Sequence, residues 1–557
     1  MVTVRGNAID VETRTLVARI ENGLITRLRS KAGGTERIRG GPWDYSALQL
    51  VYPGQGPLDV LDRLAGRVSC HQRSAGCAEV RLHGWDADGV IRVSEDEATG
   101  DLVVEPSAYS SRAGVLSCRW LVPGIAADLE LIAPFFQGVR LPLSDSLLEG
   151  RWFWPQLWEA GLAILQGRGG GFWIHCQDSR YRYKALNIEK ATLGLETEAY
   201  GPVERNRGAG GLQWRVNVYE GEWRVPATAY RDWLWEAYGL AAEERARKPW
   251  VGDVRFAVSW YGGDPELLDA LAERLSPHQV LLHYSNWRTD PYDENYPTYD
   301  PSPAACDVFA KARKMGFHVM PHCNSVDMDP THPAYHYVRD FQYRDVQTKR
   351  LLGWGWDPEH GRVLGVPDSY ASLAENRRRK VMVKIHPGLS MWRSILAEHV
   401  GQATQLLGTD CVFVDVTLCS HNLDNCLVED ATSTEGMKRL ISEIAGLGGG
   451  LAVGGEGRNE VTMQGLSFAQ AHLYRSWQSS IDGLERAGRC PLNAFLFDRL
   501  CRTFGYSGLG GRTENEELRM EVHHQLGAIP TVTVSHAEEI RSPNRAVARA
   551  LDRALGS

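Results

Sequence analysis

The sequence predicts an N-terminal β-sandwich of supersandwich type followed by a (β/α)8 TIM barrel. Three observations carry that reading. Short β-rich runs punctuated by Gly, Pro, Asp and Asn fill residues 1 to 225, and from Val254 onward near-continuous apolar strands alternate with amphipathic helices. The second region also has the size of one barrel, about 250 residues. By length alone the 557 residues could hold more domains, but sandwiches and barrels each run to about 200–250 residues as single units. The expected boundaries are 1–228 for the sandwich, 229–252 for a linking helix and linker, and 253–557 for the barrel, with a long insertion at 322–410.

The sandwich rests on stretches such as TLVARIENGLITRLRS, CAEVRLHGWDADGVIRVSED and GGFWIHCQDSRYRYKALNIE, whose strand-length runs are separated by turn residues. In ATAYRDWLWEAYGLAAEERARK the spacing changes: Tyr230, Trp233, Leu234 and Tyr238 recur at helical intervals, which predicts the linking helix. Barrel strands are expected at VRFAVSWY (254–261), QVLLHYS (279–285), FHVMPHCN (317–324), CVFVDVT (411–417), LAVGGEG (451–457), NAFLFD (493–498) and AIPTVTV (528–534), with an eighth within 499–527. Such apolar strands imply a parallel sheet covered on both faces. Consecutive strands of a barrel lie roughly 30 residues apart, so the interval from FHVMPH to CVFVDV is far too long. It leaves the catalytic end of the third strand and carries YHYVRDFQYRD, LLGWGWD and VMVKIHPG. A functional loop is the best reading of such an excursion.

Composition removes several classes. Lys+Arg 61 against Asp+Glu 69 leaves a net charge of −8, so there is no basic field for nucleic acid or anionic lipid. No run of about 18 apolar residues suggests a membrane span, and the N-terminus lacks a basic segment followed by an apolar one. The 11 cysteines are odd in number, scattered and without C-x2-C spacing. These features point to a cytoplasmic protein. Abundant glycine, 57 residues, and 18 tryptophans are what stand out.

Two carboxylates carry the candidate chemistry. Asp415 ends the otherwise apolar run CVFVDVT, and an unpaired charge there is expensive unless it serves a purpose. A cap on the next helix or a pair with a barrel arginine would also account for it. Glu456 follows Leu451, Ala452 and Val453 and is flanked by Gly454, Gly455 and Gly457, which allow a tight turn and close approach of a ligand. About one βα unit separates the two, so they end neighbouring strands and face one cavity. Paired carboxylates are the minimum equipment of a glycosidase, and strands roughly 4.8 Å apart favour the retaining separation of about 5–5.5 Å.

Sugar sites combine flat aromatic walls with a few convergent polar groups. Trp260, Trp287, Trp354, Trp356, Trp392 and Trp477 fall at strand ends, in the catalytic-side loops or just after them, with Trp287 the strongest candidate because SNWRTDPYDENYPTYDPSP surrounds it. His322, Lys384, His386 and Arg458 are candidate polar contacts. A metal between His318 and His322 is disfavoured because the first strand offers no ligand. No metal is required by the chemistry, although Ca2+ could sit in an Asp-rich loop.

The order of sandwich, AYRDWLW helix, VFVDV strand and GGE strand resembles the α-N-acetylgalactosaminidase group of glycoside hydrolases, families 101 and 129, with HPGLSMWRSILAEHVGQATQLLGTDCVFVDV similar to the stretch that leads into their nucleophile strand. The resemblance covers roughly residues 1–535 and is specific around 386–416 and 451–460. It implies a retaining exo-α-glycosidase with Asp415 as nucleophile and Glu456 as general acid/base. The C-terminal β-domains and export signals of those families are absent from the sequence, which suggests an oligosaccharide or small glycoside as substrate, with galactose, N-acetylgalactosamine or another hexose as the sugar. A metal-dependent hydrolase using His322, Asp415 and Glu456, or a non-catalytic carbohydrate-binding protein, are the alternative readings.

Overall fold

Turn chemistry organises the first part of the chain. In the computed structural model, which describes residues 1–40, 46–61, 66–356, 363–365, 379–471, 486, 488–505 and 516–556, the strands Leu16–Glu21 and Leu24–Ser30 are joined by Asn22 and Gly23, both at positive φ. Asn-Gly is the preferred two-residue hairpin because both residues tolerate that conformation. Five strands from Val2 to Arg39 form an antiparallel meander. The two larger sheets are also antiparallel. One runs Gly150–Phe153, Lys184–Glu189, Thr192–Glu198, Ser117–Val122, Leu48–Val51, Leu58–Asp59; the other includes Leu162–Gly167, Gly170–His175, Trp214–Glu220, Asp101–Ser110 and Ala87–Asp96 as successive neighbours. Alternate residues supply a core in which Trp120, Trp154, Trp158 and Trp214 are fully buried, so the unit is the expected β-sandwich.

The chain divides into two units, residues 1–238 with 346–348 and 421–424, and residues 239–345, 349–420 and 425–557. The helix Arg224–Ala237 ends the main segment of the first.

The second unit is a closed parallel barrel of eight strands: β1 Phe256–Tyr261, β2 Val280–Tyr284, β3 His318–Asn324, β4 Cys411–Asp415, β5 Ala452–Glu456, β6 Leu466–Ala471, β7 Arg502–Gly505 and β8 Thr531–Val532. Each strand from β1 to β6 pairs with the next, β8 pairs with β1, and an isolated parallel bridge from Phe504 on β7 to Ile529, just before β8, closes the ring. Leu281, Met320, Phe413, Phe468 and Phe504, from β2, β3, β4, β6 and β7, form one buried cluster, with Val251 and Val254 packed in it. That is the layered core of a TIM barrel.

Two strand assignments differ from the sequence reading. NAFLFD lies in the helix Leu492–Phe497, and the sixth strand is Leu466–Ala471. A short apolar run has no periodicity that separates a buried strand from a buried helix. LSFAQA was overlooked because it follows β5 after only a short connection, 457–465, that contains no helix. The eighth expected strand is found within its interval, as β7. The insertion after β3 forms its own antiparallel sheet, in which Asp327–Met328 pairs with Met382–Lys384 and the latter with Gly353–Trp356.

The sandwich also buries charge. Glu196 is wholly buried and is bound by Arg119 at 3.2 Å, Arg151 at 3.1 Å, Ser117 Oγ at 2.7 Å and Asn187 Nδ2 at 2.8 Å. Burial opposes its ionisation, but Arg151 and Arg119 prevail and hold its carboxyl down at about 2, against 4.5 unperturbed. A depressed carboxylate adds stability above its unfolded pKa and loses it as the pH falls through the folded value. Glu196→Gln is therefore expected to flatten the acid dependence of unfolding between about pH 4.5 and 2, followed by denaturant titration at a series of pH values; an unchanged slope would show that the cluster does not couple folding to protonation.

Candidate active site

The β4 and β5 ladder runs from Cys411 opposite Ala452 to Val414 opposite Gly455. The next residues, Asp415 and Glu456, therefore end the two strands side by side at their C-terminal edge, the face on which barrel enzymes build their sites. Glycine makes this possible. A Cβ on Gly454 would sit 2.8 Å from Met320 Sδ, and one on Gly455 2.7 Å from Thr417 Oγ1 and 2.8 Å from Leu466. The strand ends are pinned through their carbonyls: Ser325 donates to the Asp415 carbonyl from both its N–H (3.0 Å) and its hydroxyl (2.7 Å), and the Thr417 hydroxyl donates to the Glu456 carbonyl (2.9 Å).

The side chains are shielded. Glu456 is 8% exposed, and the Asp415 side chain 13%. Asp415 neither caps a helix nor pairs with an arginine among the described residues; its ionic neighbour is His322, whose Nε2 lies 3.8 Å from Oδ2. Burial, then the charge of Glu456, push the Asp415 carboxyl well above the aspartate range, with Asp293 and Asp327 adding to the effect and the Val416 N–H opposing it. A neighbouring carboxylate in a site this shielded disfavours a second negative charge and so favours the neutral form of Asp415.

Beneath the pair lies a buried polar layer. His283 on β2 and His322 on β3 are bonded, Nε2 to Nδ1, at 2.9 Å. Burial holds His283 down at about 3, and burial with His283 and Arg288 keeps His322 well below the ordinary histidine range, so both rings are neutral at pH 7. When His283 donates, the His322 proton resides on Nε2 and faces the Asp415 carboxylate. Across the barrel Gln470 on β6 donates to Ser259 on β1.

The rim comes from loops. Trp260, partly buried and at φ +58°, is the penultimate residue of β1 and lies 5.7 Å from the Tyr292 ring and 5.8 Å from His322. The insertion brings Lys384 to Asp327 at 2.7 Å, and Trp354 Nε1 donates to the other Asp327 oxygen at 2.7 Å. Burial opposes the charge of Lys384, but Asp327, followed by Cys419 and Glu456, raises it above the usual lysine range. Val416, directly after Asp415, is also left-handed at φ +63°. For a β-branched residue this is a strained conformation of the kind that collects at functional sites.

The candidates named from sequence thus separate. Asp415, Glu456, His322, Trp260 and Lys384 belong to this constellation. Trp287 and Trp392 are fully buried and donate their Nε1 to the carbonyls of His322 and Ser325, at 2.9 and 3.0 Å, so they brace β3 and the turn after it instead of offering an open wall. His386 is buried with both ring nitrogens bonded to backbone, at Gly388 and Cys426. Arg458 points to Asp498 and the Cys501 carbonyl. Trp477 lies outside the described residues, as does the side chain of Trp356. His283, Gln470, Asp293, Tyr292 and Asp327 were not singled out from sequence. His283 carried the same signal as Asp415, a polar residue closing an apolar strand; the others lie in a strand or loops that the sequence reading did not resolve. Among the described residues no group of three or more His, Cys, Asp or Glu is arranged to hold a metal ion, and no helix is long and apolar enough to cross a membrane.

Comparison with known proteins agrees with this architecture. A family model described as a domain of unknown function (DUF6259) matches residues 212–433. No curated protein matches the sequence. Among solved structures, the chain is similar to the ligand-free α-N-acetylgalactosaminidase NagBb from Bifidobacterium bifidum, at 12% identity and a TM-score of 0.68, over 100% of this chain and 92% of that one. Its GalNAc complex gives 12% identity, a TM-score of 0.64 and the same coverage. The GH36 α-galactosidase AgaA from Geobacillus stearothermophilus scores 0.49 at 11% identity, over 100% of this chain and 86% of that one. At such identities the likeness to NagBb is one of fold.

The close packing around β5 makes a stability prediction. Gly455→Ala is expected to lower stability by about 1–3 kcal/mol through overpacking against Thr417 and Leu466, measured by thermal unfolding; an unchanged melting temperature would mean that the strand ends are not tightly set.

Proposed function

We propose that the protein is a retaining exo-α-glycoside hydrolase acting on α-linked galactose or N-acetylgalactosamine-type sugars or related hexosides. The observation that carries this reading is the pair Asp415 and Glu456 ending adjacent barrel strands, shielded from water and, among the described residues, with no lysine or arginine paired to Asp415. In this mechanism Glu456, protonated, delivers its proton to the glycosidic oxygen while Asp415 attacks the anomeric carbon and the leaving group departs. A water then adds to that carbon, Glu456 takes up its proton, and Asp415 is released. This requires the proton on Glu456 and the charge on Asp415, so Asp415 must be brought to its ionised form against the burial that raises it. Trp260, with Tyr292 and Trp354, would supply the aromatic surface for the sugar, and Lys384 and Asp327 would meet its hydroxyls.

Asp415→Asn should reduce turnover of aryl α-glycosides by at least about a thousandfold, and azide should restore activity to Asp415→Gly by giving a glycosyl azide. Wild-type-like rates in Asp415→Asn or Glu456→Gln would end the assignment. NMR of the first-formed anomer settles retention, and a panel of aryl α- and β-glycosides identifies the sugar. Chelation should leave activity unchanged; loss with rescue by added metal would favour the metal-dependent alternative.

The pH profile tests the protonation of the pair separately. Activity needs Asp415 ionised and Glu456 protonated, so kcat/KM should be bell-shaped, with its acid limb above the ordinary aspartate range because burial raises Asp415. With an activated leaving group that needs no acid, Glu456→Gln should abolish the alkaline limb and leave the acid limb in place, since the amide mimics the neutral carboxylic acid. An alkaline limb that persists in this variant would assign that ionisation elsewhere.

A further inference from the structure

Trp85, in the sandwich, is 82% exposed. It occupies the short connection between the strands Cys77–His83 and Ala87–Asp96, and that connection is firmly held. Gly84 N–H donates to the Ala87 carbonyl at 2.9 Å, and the Asp86 carbonyl accepts from Ser111 N–H at 3.0 Å and Ser110 Oγ at 3.2 Å. A Cβ on Gly84 would fall 1.8 Å from the Val60 carbonyl oxygen. A turn secured in this way gains nothing from an indole at its tip, and the indole loses the burial that would favour it elsewhere.

Trp85 lines a cleft of about 270 Å3 together with Tyr52, Leu58, Asp59, Asp86 and Arg112. Leu58 is itself 44% exposed, so two prominent apolar side chains meet at one concavity. The Arg112 guanidinium lies 4.4 Å over the Tyr52 ring and donates to Gln55 at 3.0 Å. The Asp59 carboxylate accepts from Gln49 at 2.9 Å, and Asp86 is exposed. A flat apolar face beside two carboxylates and one guanidinium suits a ligand with a C–H face and a rim of hydroxyls. An anion would meet more negative than positive charge, and a purely apolar ligand would desolvate the carboxylates without replacing their hydrogen bonds.

We propose that this cleft is a non-catalytic saccharide-binding site in which a neutral pyranose stacks on Trp85 and hydrogen-bonds through its hydroxyls to Asp86, Asp59 and Arg112. It stands independently of the barrel chemistry.

The test is NMR of the full chain carrying Asp415→Asn, so that glycans stay intact, with 15N-labelled indoles. The Trp85 resonance is assigned by its disappearance in Trp85→Ala. Methyl α-galactoside, N-acetylgalactosamine and a neutral tetrasaccharide are titrated to about 20 mM, beyond the millimolar affinity expected of one stacked sugar. At least one sugar should shift the Trp85 signal saturably, and Asp86→Asn should weaken that binding about three- to tenfold. No shift with any of the sugars would overturn the proposal, as would a shift that follows protein concentration alone, which would mean that a second copy covers the indole. A barrel without glycosidase activity would leave this readout intact, so the two readings fail separately.

Discussion

Repulsion between two carboxyl groups at the ends of adjacent parallel strands governs the construction of the barrel mouth. Water would screen that repulsion, but Asp415 and Glu456 are largely removed from it. No arginine relieves Asp415 among the described residues, and Lys384 is held to Asp327 at 2.7 Å. The restraint acts instead on the main chain. Ser325 and Thr417 bind the carbonyls of the two acidic residues and hold the strand ends in place. Groups anchored through peptide bonds retain their charge chemistry, whereas groups anchored by counter-ions lose it to the partner.

The histidine pair below extends the same logic. Two neutral imidazoles bonded to each other can pair in either sense. With His283 as donor, the His322 Nε2–H faces Asp415 across 3.8 Å. A neutral layer beneath the carboxylates leaves Asp415 without the fixed charge that a cation in that position would supply.

The sequence was most legible where one residue broke a uniform pattern. Asp415 and Glu456 closing apolar strands could be placed on one edge of a sheet before any coordinates, because strand parity and barrel connectivity leave few alternatives. The β-rich character of TLVARIENGLITRLRS was legible from its turn residues, and the structure resolves it into the Asn22-Gly23 hairpin, whose backbone few residues suit. The pairing of Lys384 with Asp327 was not, since the two residues are 57 positions apart within an insertion whose fold has no periodic signature. Nor could sequence separate Trp260 at the rim from Trp287 and Trp392 in the interior. That depends on which carbonyl an indole N–H can reach, a property of the assembled loops. NAFLFD and LSFAQA show the same limit for strands, where burial on all sides erases the alternation that would have distinguished them.

Val416 has a bearing on how this barrel would respond to selection. A valine in the left-handed region, directly after the acidic residue that ends β4, costs folding energy that glycine at the same place would not. Directed evolution for heat resistance alone would favour exchanging Val416 for glycine; under the chemistry proposed for Asp415, evolution with a requirement for turnover would retain the valine. On that proposal the position marks where the demands of folding and of chemistry diverge within a single residue.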